Sequence, residues 1–192
     1  MKLSANALTT LETLKSHVGI PLGDSSKDTV LMLFINGGSS AVEKYTGRRF
    51  KQGTYVEKYD GDGESQELYL DGAPIDTVTS VKIASVVIAP ADYTVYTNYI
   101  LLNDAEWPAG RKNIEVSYIG GFVLPKDETD VLARTLPFDV ELATLKVVAG
   151  MFNRKDAEGI NRSNSGGMSA DFGTVFNDEV KGLLKPYRYL HV

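Results

Sequence analysis

The residues most suggestive of chemistry are three acidic side chains that alternate with glycines in one short segment, Asp60, Asp62 and Glu64. Alternating carboxylates are typical of the first half of a calcium-binding loop. An EF-hand that began at Asp60 would need glycine where Ser65 stands and a bidentate glutamate where Asp71 stands. Because the flanking residues have strand-like patterns, we interpret the segment as an acidic hairpin turn. A metal-dependent hydrolase that uses these carboxylates stays open as an alternative.

Other catalytic and metal-binding arrangements are missing from the sequence. The 192 residues contain no cysteine, which excludes disulfides, cysteine-ligated metals and thiol catalysis. There are only two histidines, His17 and His191, near opposite ends of the chain. No phosphate-binding loop, dinucleotide-binding glycine motif, zinc-protease motif or nucleophile elbow occurs. The sequence therefore predicts a protein without catalytic residues, cofactor or bound metal.

Charge and hydropathy are those of a soluble globular chain. The formal net charge is -5, whereas a protein that holds nucleic acid by its phosphates needs clustered lysine and arginine. No segment approaches the roughly 18 consecutive apolar residues that would suggest a membrane-spanning helix. The first residues become polar too soon for a signal peptide. We therefore expect a protein made in the cytoplasm that has no contact with membranes.

Helical periodicity dominates both ends of the chain. Apolar residues recur at the i, i+3, i+4 and i+7 spacing of amphipathic helices. This spacing predicts helices near residues 9–18, 27–46, 136–156 and 177–187. For the third helix, the predicted buried stripe is Phe138, Leu142, Leu145, Val148 and Phe152.

In the second predicted helix, the apolar stripe includes Val30, Leu33 and Phe34 and then two glycines, Gly37 and Gly38. Each glycine in a helix interior costs about 1 kcal/mol relative to alanine. Either another backbone approaches the helix closely at this point, or the glycines are a tolerated break. The sequence leaves both interpretations open.

The middle of the chain, residues 54–122, changes from the helical period to the alternation typical of strands. Residues 55–59 and 67–70 flank the acidic turn and are predicted to form a hairpin. The predicted fold class is α+β, a small helical bundle with an inserted, mainly antiparallel β-sheet region. Residues 1–53 and 123–192 form the helical domain, residues 54–122 the insertion, and the glycine-, serine- and asparagine-rich residues 159–173 a flexible loop.

Residues 8–50 resemble the beginning of phage head–tail connector proteins, also called adaptor or head-completion proteins, of long-tailed phages and gene-transfer agents. Residues 45–50 are the most specific part, because Tyr-Thr-Gly-Arg-Arg-Phe fits the family's Tyr-x-Gly-Arg-x-Phe. The rest is similar to the longer members with an inserted β region. The matching segments are Leu-Asp-Gly-Ala-Pro-Ile at 70–75, Trp-Pro at 107–108, Val-Ser-Tyr-Ile-Gly-Gly-Phe at 116–122 and Leu-Leu-Lys-Pro-Tyr-Arg at 183–188.

The resemblance implies a structural virion protein that catalyses nothing and needs no cofactor. Such proteins form a homo-oligomeric ring beneath the portal protein, and the resemblance implies that the ring matches the portal with about twelve subunits. They extend the channel through which double-stranded DNA passes without sequence recognition. They also give the stopper or tail-completion protein its docking surface. The resemblance places this protein in the virion neck of a phage or prophage, after synthesis in the host bacterial cytoplasm. Another neck or tail component, such as a tail terminator, is the alternative.

Three features are candidates for contact with the portal or a neighbouring subunit. The only tryptophan, Trp107, either anchors its loop on the sheet or contacts a partner. The pair Arg48 and Arg49 either binds acidic residues across a subunit boundary or forms a solvated helix end. The last helix has an apolar face flanked by basic residues, which suits docking. The predicted partner-binding residues are Arg48, Arg49, Trp107, Val180, Leu183, Leu184, Lys185, Tyr187 and Arg188.

Overall fold

The computed structural model describes residues 1–155, 162–165, 168–171 and 175–188. The chain divides into two compact units, one built from residues 1–47 and 124–192 and the other from residues 48–123. The first unit contains the helices and the second is built from antiparallel strands. The predicted α+β class is therefore confirmed. Within the residues that the structure describes, no helix combines the length and the apolar character that crossing a bilayer requires.

Among its described residues, the helical unit contains four α-helices at the predicted places: α1 (Leu11–His17), α2 (Asp28–Thr46), α3 (Phe138–Arg154) and α4 (Asp178–Leu184). Thr10 caps α1, since its side-chain oxygen accepts a hydrogen bond from the backbone N–H of Thr13. Gly47 ends α2 in the left-handed conformation, with φ of 68°, which glycine adopts at little steric cost. Single turns of 3₁₀ helix occur at Pro125–Asp127 and Lys185–Tyr187.

The buried face of α2 differs from the predicted stripe. Leu31, Ile35, Gly38 and Val42 are buried, whereas Leu33 is half exposed. A Cβ atom on Gly38 would lie 2.5 Å from Cγ2 of Val148 in α3, while Gly37 has nothing within 4 Å of the same position. Each of the two open interpretations therefore applies to one of the two glycines. Gly38 allows the close approach of α3, and Gly37 is a tolerated exposed glycine.

The predicted core stripe of α3 is wrong in its first two turns. Phe138 is 75% exposed and Leu142 is also exposed. The buried residues there are instead Val140, Glu141, Ala143 and Thr144. The reason is a buried polar cluster: Oγ1 of Thr9 donates to Oε1 of Glu141 at 2.9 Å, and the guanidinium of Arg134 pairs with Oε2. A buried carboxylate must be paired in this way, and pairing it turns Glu141 inward and Phe138 outward.

The second unit contains seven strands: β1 (Gly53–Gly61), β2 (Glu67–Tyr69), β3 (Ile75–Ile83), β4 (Val86–Val87), β5 (Tyr93–Val95), β6 (Tyr99–Leu102) and β7 (Gly110–Gly120). They form a four-stranded sheet of order β1-β7-β3-β4 and a three-stranded sheet of order β2-β6-β5. All the strand pairs are antiparallel. One turn of 3₁₀ helix, Pro90–Asp92, precedes β5.

The predicted hairpin around the acidic turn is wrong. β1 pairs with β7, and β2 pairs with β6 in the other sheet. The end of β1 is bonded to the start of β7 instead. The backbone N–H of Gly61 donates to Oδ1 of Asn113 at 3.0 Å, and that of Lys112 donates to Oδ1 of Asp60 at 2.6 Å. The long β7 offers β1 a partner along its whole length, which a three-residue strand cannot do.

The predicted flexible loop, residues 159–173, contains two short strands, β8 (Arg162–Ser165) and β9 (Met168–Asp171). They pair in an antiparallel register that places Ser165 opposite Met168. Residues 159–161, 166–167 and 172–173 lie outside the described residues. The flexibility of this segment stays a prediction.

Candidate interaction surfaces

Trp107 lies between β6 and β7 and anchors that connection. Its side chain is only 1% exposed and belongs to the core of the β unit. The indole Nε1 donates to the carbonyl oxygen of Gln66 at 2.7 Å. The structure therefore favours the anchoring interpretation. As a contact for a partner, Trp107 is unavailable in this conformation, because burial of its ring already stabilises the unit.

The two arginines after α2 have partners inside the β unit. Arg48 is buried, and Nη2 donates to Oδ1 of Asn98 at 3.5 Å. Nη1 of Arg49 lies 3.0 Å from Oε1 of Glu57, and its guanidinium lies over the ring of Tyr55 with 5.6 Å to the centroid. The structure therefore does not favour the solvated helix end, and the pairing across a subunit boundary stays a prediction. Arg49 keeps an exposed side chain that a neighbour could still contact.

Glu57 is the centre of a polar cluster that the sequence did not reveal. The hydroxyls of Tyr59 and Tyr118 both donate to its Oε2 atom at 2.5 Å. The Tyr118 hydroxyl also accepts a hydrogen bond from the backbone N–H of Gly72 at 2.9 Å. Burial of the two phenols is the largest cause that raises their pKa values, and the hydrogen bond to Glu57 is the next largest. The sequence offered one signal: Glu57 and Tyr59 are two residues apart in a predicted strand, so their side chains were expected on the same face of the sheet.

These two tyrosines make the protein sensitive to alkaline pH. Their pKa values in the folded state lie above the ordinary value of about 10, so their contribution to stability is complete below that pH and is lost as the pH rises beyond it. In an absorbance titration, we expect at least these two of the ten tyrosines to ionise only when the sheet unfolds. Circular dichroism would follow the unfolding. Titration of all ten tyrosines near the ordinary pKa, in a protein that keeps its sheet, would contradict the prediction.

The last helix lies on α3. Its side chains Val180 and Leu184 are buried, and Leu183 is half buried. Nζ of Lys146 lies 2.8 Å from Oε1 of Glu179. The predicted apolar face therefore packs inside its own unit.

Polar and aromatic contacts continue beyond the last turn of α4. The Tyr187 hydroxyl donates to Oδ1 of Asp139 at 2.8 Å. The guanidinium of Arg188 lies 5.1 Å from the centroid of the Tyr45 ring. The basic residues Lys185 and Arg188 of this segment are exposed to solvent.

The conformation of the acidic turn is fixed by hydrogen bonds from its own backbone to an aspartate side chain. Oδ1 of Asp62 accepts hydrogen bonds from the N–H groups of Glu64 and Ser65, both at 2.9 Å. These bonds are the main cause that lowers the pKa of Asp62. In the part of the chain that the structure describes, no three histidine, aspartate or glutamate side chains converge in a way that could hold a metal ion. The carboxylate of Asp62 therefore has a structural use as a turn-stabilising acceptor.

An exposed tyrosine face, which sequence reasoning missed, lies on the outer side of the three-stranded sheet. We define it as Tyr69, Tyr96 and Tyr99. Tyr69 and Tyr99 are cross-strand partners with ring centroids 5.2 Å apart, and the Tyr96 ring stacks on Tyr99 at 4.6 Å. Tyr69 is 48% and Tyr96 43% exposed. The Tyr69 hydroxyl donates to Oε2 of Glu67 at 2.7 Å, which is the main cause that raises the pKa of Tyr69. Tyrosine is among the residues enriched in protein interfaces.

The sequence matches the model of the head completion protein family over residues 7–190. The chain belongs to the head completion protein family. The match covers nearly the whole chain and therefore both compact units. The resemblance seen in the sequence motifs is confirmed. Membership gives this head completion protein a structural role in the head–tail connection.

Solved structures similar to this head completion protein come from gene transfer agent particles. A chain in the neck of an empty particle, computed with C6 symmetry, is 16% identical with a TM-score of 0.61, covering 100% of this chain and 95% of that one. A chain in the virion of the native particle is 16% identical with a TM-score of 0.62, at the same coverage. A chain in the neck of the native particle, computed with C12 symmetry, is 16% identical with a TM-score of 0.59, covering 100% and 94%. At this identity the likeness shows a common fold. No curated protein sequence matches the chain.

Proposed function

We propose that this head completion protein forms a ring in the neck of a phage, prophage or gene transfer agent particle. The ring lies beneath the portal, extends the DNA channel and gives the stopper or tail-completion protein its docking surface. The observation that carries this proposal is the family match over residues 7–190, which spans the helical unit and the inserted β unit together.

The ring and its size are supported by the symmetry of the similar structures. Those particles' necks were computed with C6 and C12 symmetry. A closed cyclic arrangement of about twelve copies is the corresponding expectation for this chain. A net charge of -5 suits a conduit that must not bind DNA tightly as it passes.

The structure divides the nine predicted contact residues into two groups. Arg48, Trp107, Val180 and Leu184 are buried and support the two units from inside. The others are exposed (Arg49, Lys185 and Arg188) or partly exposed (Leu183 and Tyr187), and they are the ones proposed to contact the portal or a neighbouring subunit.

The experiment that tests the function is deletion of the gene from a producing phage or prophage. We expect heads that package DNA but carry no tails, together with free tails of normal length. A tagged copy supplied in trans should restore attachment and should be found by electron microscopy at the head vertex, at about twelve copies per particle by quantitative mass spectrometry. A tag found only at the end of free tails, with tails of abnormal length, would instead identify a tail terminator. Tailed, infectious particles formed without the gene would contradict the proposal.

The alternative hydrolase makes a different prediction in solution. A bound divalent cation would raise the melting temperature, because a ligand that binds only the folded state stabilises it. We expect the melting temperature to be the same with magnesium, calcium or a chelator.

A further inference from the structure

The tyrosine face lies within a part of the chain that carries acidic charge alone. Residues 59–81 and 83–110 contain no lysine or arginine. The same residues contain nine carboxylates: Asp60, Asp62, Glu64, Glu67, Asp71, Asp76, Asp92, Asp104 and Glu106. All three strands of the smaller sheet fall in these ranges. A cationic partner therefore suits this face.

Exposed aromatic rings and carboxylates together select such a partner. A lysine or arginine side chain gains attraction from the face of a tyrosine ring and from a nearby carboxylate at the same time. Here Tyr69, Tyr99 and Tyr96 form a continuous ring stack, and Glu67 is bonded to the first of them. The inner side of the sheet is already used, since Leu68, Ile100 and Leu102 are buried.

This chain presents exposed lysines of the required kind on α4 and directly after it. The helix buries Val180 and Leu184 on its own unit. Its outer side carries Lys181, which is 49% exposed and lies 3.4 Å from Oδ1 of the exposed Asp178, and Lys185 follows one turn later. No acidic residue follows Glu179 in the sequence. The outer side of α4 therefore begins with the exposed carboxylates of Asp178 and Glu179 and becomes basic from Lys181 onwards.

We propose that the tyrosine face of one copy binds the outer basic side of α4 of a second copy, as the contact between neighbours in the ring. This inference rests on the proposed ring function. A cyclic ring joins two different, complementary surfaces of each subunit, because every contact is head to tail. One acidic aromatic surface and one basic helical surface satisfy that requirement.

Engineered disulfides test the contact, since the chain has no cysteine of its own. Thr94 is exposed on the strand β5, and Gly182 is exposed between the two lysines, with nothing within 4 Å of a Cβ added there. The double variant Thr94→Cys with Gly182→Cys keeps every charge and every tyrosine. The matched control is Thr54→Cys with Gly182→Cys, because Thr54 is an exposed threonine of β1 in the other sheet.

Neck complexes isolated from producing cells are oxidised and analysed without reductant. We expect the Thr94 and Gly182 pair to give a ladder of cross-linked copies, at least about tenfold stronger than the control, since a disulfide requires Cα atoms within about 7 Å. Relative to the amount of the protein present in the neck complexes, Lys181→Glu with Lys185→Glu should remove the ladder, and adding Glu67→Lys should restore part of it.

The possible failures are distinguishable. If the protein is present in neck complexes but gives no ladder, or only a bond within one chain, the proposed contact is wrong and the ring function stands. If an equally strong ladder forms in the control, the contact is not specific to the tyrosine face, and the proposal is again wrong. If the protein is absent from neck complexes, the proposed function fails, and this contact fails with it.

Discussion

A Gly38→Val variant is expected to unfold at a clearly lower temperature than the wild-type protein. The new side chain would place its Cβ atom 2.5 Å from Cγ2 of Val148, where α2 and α3 are in contact. Val148 is buried and β-branched, so it has little freedom to rotate away. Overpacking of this kind costs about 2–3 kcal/mol, which in a chain of this size lowers the melting temperature by about 4–12 °C. Thermal unfolding followed by circular dichroism measures the change.

The neighbouring glycine provides the control. Gly37 is exposed and has nothing within 4 Å of a Cβ position, so Gly37→Val should change the free energy of unfolding by no more than about 0.5 kcal/mol. Adding Val148→Ala to Gly38→Val should recover part of the lost stability, because it removes the atom that clashes. Equal melting temperatures for the two valine variants would show that close approach of α3 is not what Gly38 provides.

Deletion of residues 174–192 is expected to abolish attachment to the portal while the β unit stays folded. The deletion removes α4 with its exposed basic side, and it uncovers the part of α3 that Val180 and Leu184 cover. Loss of two or more hot-spot side chains, each worth about 2 kcal/mol or more, weakens binding at least about a hundredfold. Cosedimentation with portal-containing heads measures attachment. The alkaline titration of Tyr59 and Tyr118 reports whether the β unit is intact.

Two further variants separate loss of the surface from loss of the fold. Lys181→Glu with Lys185→Glu leaves the apolar face of α4 in place and should reduce attachment with little change in melting temperature. Val180→Asp buries a charge and should release α4 from α3 at a cost in stability. Unchanged portal binding by the truncated protein would show that α4 has no docking role. Unfolding of the whole chain on truncation would show that α4 belongs to the core.

The positions of the elements were predictable because their signals are local. The helices are marked by four amphipathic segments, by the cap at Thr10 and by the helix-ending Gly47. The strands are marked by alternation of apolar and polar residues between turn residues. The family motifs are also local, and they led to the structural role that the family match confirms. The predicted contact residues come from the same motifs, and their role in assembly stays a prediction.

What the chain alone did not determine was which face of each element is buried and which strands pair. The helix α2 offers two apolar stripes about one residue apart, and only the approach of α3 to Gly38 decides between them. In α3, the pairing of Glu141 with Thr9 turns Phe138 to solvent. The tyrosine face exists because β2 pairs with β6 and not with β1, the strand that precedes β2 in the chain. Each of these choices depends on contacts between residues far apart in sequence, and periodicity along one segment contains no information about them.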